Sequence, residues 1–75
     1  MVNSIPVEEL LARHRVALDE YHRWDSRIAQ LLKGRRARNL NPEELAAYRE
    51  AVERRDAAYD EMSRLERMLL DNSSS

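Results

Sequence analysis

Apolar side chains recur along this chain at the three- and four-residue steps of a helix, in two separate stretches. In the first, Val7, His14, Tyr21 and Ile28 form one row at seven-residue spacing, and Leu10, Ala17, Trp24 and Leu31 form the next. Leu11, Leu18 and Leu32 widen that stripe beyond the narrow seam of a coiled coil. In the second, the stripe is Leu45, Tyr48, Val52, Tyr59, Met62, Leu65 and Leu69, with Ala51 and Ala58 alongside and Arg55 interrupting it. The pattern predicts two amphipathic helices, over about 5–33 and 42–70, and no strands.

The break between them is written in Leu40-Asn41-Pro42-Glu43-Glu44-Leu45. Asn41 suits an N-cap, Pro42 the first helical position, and Glu44 the reciprocal place in a capping box. Leu40 and Leu45 occupy the two positions of a hydrophobic staple. Ser4 offers a cap for the first helix, with Pro6 in its first turn and Glu8 and Glu9 favourably placed for the dipole. Gly34 after Lys33 supplies its stop.

Similar lengths and a short connection predict an antiparallel helical hairpin, all-α and a single domain over 1–75, with a flexible polar tail at 71–75. Folding back at the loop places residues whose numbers add to about 76 opposite one another, at 1.5 Å of rise per residue. That register sets Trp24 against Val52 in the core, Ala17 against Tyr59, and Tyr21 under the Arg55 guanidinium. Both stripes are wider than one partner helix can cover, and no disulfide staples so short a chain. A dimer in the form of a four-helix bundle, or docking on a partner helix, is therefore expected. Leu11, Leu18, Trp24, Leu32, Tyr48, Met62 and Leu69 are its candidate interface residues.

Composition narrows the classes of function. With 43% apolar and 36% charged residues and one glycine, the chain reads as long, surface-charged helices. Cysteine is absent, which removes disulfides, zinc–thiolate sites and thiol catalysis. No apolar run approaches a membrane span, and the N-terminal segment lacks the pattern of a signal peptide, so a soluble cytoplasmic protein is expected. Thirteen basic against fourteen acidic residues set up no global field for nucleic acid or membrane.

One local concentration of charge stands out, Lys33-Gly34-Arg35-Arg36-Ala37-Arg38. Lys33, Arg35, Arg36 and Arg38 form a candidate phosphate-binding tip and carry the alternative reading, an RNA- or DNA-binding bundle. No aromatic residue interleaves them to stack on bases, and cations at a helix C-terminus already answer the dipole. His14 and His22 are the only histidines and show no metal-ligand spacing. No nucleophile, paired acid and base, or cofactor motif appears, so neither an enzyme nor a cofactor is expected. Helical chorismate mutases need a three-helix protomer, and this chain supplies two helices with a different Asp19-to-Asp25 spacing.

The runs Tyr21-His22-Arg23-Trp24-Asp25-Ser26-Arg27-Ile28, Glu44-Leu45 and Arg54-Arg55-Asp56-Ala57-Ala58-Tyr59 together resemble the YdcH-like family of small bacterial helical hairpins. Trp24 stands where that family usually has Leu, and Ala57-Ala58 where it has Glu-Ile. The resemblance covers about 45 residues and implies a hairpin fold, without an established activity. The expected function is a non-enzymatic interaction module, an adaptor or regulator that self-associates or docks on a helical partner.

Overall fold

The computed structural model describes residues 5–73, with side-chain surroundings given for residues 5–71. Helix α1 spans Val7–Leu32, a short 3-10 turn spans Ala37–Asn39, and helix α2 spans Pro42–Ser73. The two long helices pack side by side as a hairpin, 53 Å long and 18 × 16 Å across. Its radius of gyration of 16.4 Å exceeds the about 11 Å of a spherical domain of this length, as expected of an elongated hairpin with a thin core.

The helix ends follow local chemistry. Ser4 lies outside the described residues, and Pro6 occupies the cap position of α1. Its carbonyl accepts from Glu9 and Leu10, both at 3.0 Å. Proline disfavours helical geometry at the residue before it, which keeps Ile5 outside the helix. At the other end Lys33 adopts the left-handed conformation (φ 48°) and donates its N–H to Ala29, followed by Gly34 at φ 77°. At the start of α2 the capping box forms as written. The Glu44 N–H donates to Asn41 Oδ1 at 2.8 Å, and the Asn41 N–H donates to Glu44 Oε1 at 3.1 Å. Helix α2 continues to Ser73, because Asp71 and Asn72 are weak helix formers but not breakers.

The register differs from the sequence expectation by one helical turn. His14 meets Glu66, Tyr21 meets Tyr59 and Asp25 meets Arg55, so opposed residues have numbers adding to 80. The connection is the cause. The 3-10 turn and the buried Leu40 carry the chain past the end of α1 before α2 begins, so α2 starts about one turn further out. Tyr21 consequently packs against Tyr59 in a tilted ring contact, with centroids 6.2 Å apart, and Arg55 ion-pairs with Asp25 at 3.2 Å.

The core is a line of side chains along the crease. Leu10, Ala17, Met62 and Leu65 form its main cluster, with Ile5, Tyr21, Met68 and Leu69 packed against it. Ile28, Ala51 and Ala58 are buried further along the crease. No polar or charged residue is buried among the described residues.

The structure also brings out an internal repeat. Shifting the chain by 41 residues aligns Glu9, Arg13, Ala17, Asp19, Glu20 and Arg23 with identical residues at Glu50, Arg54, Ala58, Asp60, Glu61 and Arg64. The interactions repeat with the letters. Arg13–Glu9 matches Arg54–Glu50, Arg23–Glu20 matches Arg64–Glu61, and the cross-helix pair His14–Glu66 matches Arg55–Asp25. Leu10 and Ala17 are buried, and so are their counterparts Ala51 and Ala58. The hairpin therefore has approximate twofold symmetry, about an axis that crosses it near Glu20 and Glu61.

Candidate functional site

Two long faces and one basic turn remain once the core is accounted for. At the turn, Arg35 is already spoken for. Its guanidinium donates to the Leu31 and Leu32 carbonyls, each at 3.2 Å, and to Glu44 at 2.9 and 3.5 Å. It closes the C-terminus of α1 and ties it to the first turn of α2. That hydrogen bond, with help from the Asn41 amide, holds the Glu44 carboxyl below its ordinary pKa. Lys33, Arg36 and Arg38 are exposed at the same tip and form no ion pair among the described residues. Three of the four sequence-predicted phosphate ligands are thus available, and the fourth serves the turn.

The first long face is apolar with charged corners. Leu11, His14, Leu18, Tyr21 and Asp25 follow one another at steps of three and four along α1, which keeps them on one flank. Val52, Arg55, Tyr59, Glu66 and Leu70 share one flank of α2 at steps of three, four and seven. The cross-helix pairs bring the two flanks to the same side of the hairpin. Leu11 (53% exposed), Leu18 (36%) and Leu70 (70%) open to solvent here, with Val7 and Tyr59 also exposed. The repeat pairs these positions too, Val7 with Tyr48, Leu11 with Val52 and Leu18 with Tyr59, so each apolar residue has an apolar counterpart.

The second face is a groove of about 540 Å³. Its lining includes Ala12, Val16, Ala17, Ala57 and Ala58, with Trp24 at one end and Arg13, Glu20, Arg54 and Glu61 also contributing. Trp24 is half-buried. Its Nε1 donates to Glu20 at 3.1 Å, and the Arg54 guanidinium lies 5.4 Å from the ring centroid. Trp24 thus borders the crease instead of filling it opposite Val52, and the cation–π contact is Arg54 over Trp24 rather than Arg55 over Tyr21.

The expected interface residues scatter across these surfaces. Leu11 and Leu18 lie on the apolar face, Trp24 borders the groove, and Leu32 and Tyr48 are half-buried near the turn. Met62, only 9% exposed, lies inside the hairpin, and Leu69 packs against its core. Val16, 62% exposed in the groove, and Val7, Tyr59 and Leu70 were not among the expected interface residues. Among the described residues no group of three or more His, Asp or Glu side chains is placed to hold a metal ion, and no helix is long and apolar enough to cross a membrane.

These features define an all-α helical hairpin with an exposed apolar flank. No family model matches the chain, and no curated protein or solved structure matches it.

Proposed function

We propose that this chain is a non-enzymatic interaction module, a helical-hairpin adaptor or regulator that works by self-association or by docking on a partner helix. The supporting observation is the row of large apolar side chains left in water on so slender a body, above all Leu11, Leu18 and Leu70. Contiguous exposed apolar surface rimmed by polar residues marks an interaction site. Two helices can enclose only the crease between them, so a further helical layer is the way to cover the rest. The hairpin shape is also what the YdcH-like resemblance implies, and that resemblance adds no activity.

Sedimentation equilibrium from about 1 to 100 µM tests this reading, covering the affinity range of ordinary self-association. A concentration-dependent rise to the dimer mass is expected. A monomer that unfolds cooperatively throughout that range removes the self-associating form of the proposal.

A further inference from the structure

We infer that the face carrying Leu11, Leu18 and Tyr59 is covered by the same face of a second copy of this chain. This rests on the self-associating reading above and adds which surface is used and what covers it.

The argument is the arrangement of charge around that face. His14 on α1 lies beside Glu66 on α2 near one end, and Asp25 on α1 lies beside Arg55 on α2 near the other. Basic and acidic corners therefore alternate in a checkerboard, which is the pattern the internal twofold generates. Such a pattern is complementary to itself. A copy turned over about an axis along the helices sets Asp25 against Arg55 of the copy, and His14 against its Glu66. A copy turned over about an axis across the helices sets His14 against Asp25 and Arg55 against Glu66. Either way Arg55 meets a carboxylate and His14 meets a carboxylate that can accept from its ring N–H, and complementary polar groups at a rim favour a matching partner.

Between the corners the apolar rows match as well. Turning the copy over places Leu11 and Leu18 of α1 against apolar rows of the same repeat, because Val52 and Tyr59 occupy the equivalent places on α2. The assembly is a closed, isologous four-helix bundle, in which the same patch serves both protomers. A partner of unrelated sequence has no reason to carry this alternation at the spacing of one hairpin.

The groove face offers a contrast that makes the test decisive. Val16 and Trp24 lie there, on the side away from Leu18. Leu18→Glu places an unpaired carboxylate in the proposed interface and should weaken self-association about a hundredfold. Val16→Glu should leave it within about threefold of the unmodified chain, as at a surface outside the contact. Circular dichroism confirms that both variants remain helical. If Leu18→Glu fails to fold, the unmodified chain decides the matter through its single tryptophan. Acrylamide quenching of Trp24 should be the same in monomer and dimer at constant helicity. A dimer that survives Leu18→Glu but dissociates with Val16→Glu, or shields Trp24 on association, overturns this assignment and leaves the self-associating reading standing. An unmodified chain that never dimerises removes both.

Discussion

Arg35 reaches across the interhelix turn to Glu44, with Nη2 2.9 Å from the carboxylate, while the same guanidinium caps two carbonyls at the end of α1. One side chain thus joins the end of one helix to the start of the next. Arg35→Ala should lower the melting temperature at neutral pH. Because the Glu44 pKa is depressed in the folded chain, its contribution is present above the ordinary carboxylate range and is lost as pH falls through the folded value. The gap between the unmodified chain and Arg35→Ala should therefore narrow on acidification. Thermal melts between about pH 7 and 3 check this, and a gap constant with pH would separate the role of Arg35 from Glu44.

Lys33 occupies the left-handed cap of α1, a conformation that costs a residue with a β-carbon roughly 1–2 kcal/mol. Lys33→Gly relieves that strain and gives back part of the gain through a freer unfolded chain. A net stabilisation of about 0.5 kcal/mol is expected, or a rise of a few degrees in melting temperature. A fall would show that the Lys33 side chain does more at this turn than tolerate it.

Trp24 borders the crease, so its removal should cost less than that of a core tryptophan. A fully buried Trp→Ala loses about 3–5 kcal/mol. Half-burial, the Glu20 hydrogen bond and the Arg54 stack point to about 1–2 kcal/mol for Trp24→Ala. Chemical denaturation measures it. A loss at the core value would return Trp24 to the interior.

With Arg35 held by Glu44, the basic tip presents three cations with no ion pair among the described residues, Lys33, Arg36 and Arg38. Three phosphate contacts would give a salt slope near −2.7, or about a fortyfold loss of nucleic-acid affinity between 50 and 200 mM salt. Binding of duplex DNA or structured RNA should therefore stay at non-specific strength in about 150 mM salt. Submicromolar binding abolished by Arg36→Ala and Arg38→Ala together would promote the nucleic-acid reading.

Much of this fold is legible along the chain because its determinants are local. The capping box of Asn41 and Glu44 involves residues three apart, and the two stripes need only the 3.6-residue period. Helix number, approximate helix ends and the all-α class follow from such short-range rules. The repeat is present in the letters as well, at an offset of 41, although its structural meaning appears only when the ion pairs are laid side by side.

What only the tertiary structure decided is the register and everything that hangs on it. Sliding one helix past the other by a turn preserves each helix, each cap and each apolar stripe, so no local rule distinguishes the two settings. The path of the chain through Ala37–Asn39 and the burial of Leu40 choose between them. That choice brings Tyr21 against Tyr59, His14 to Glu66 and Arg55 to Asp25. The sequence by itself determined two amphipathic helices and the turn between them. Which side chains they hide and which they leave in water was decided by long-range packing, because a side chain's burial depends on what lies opposite it and not on its neighbours in the chain.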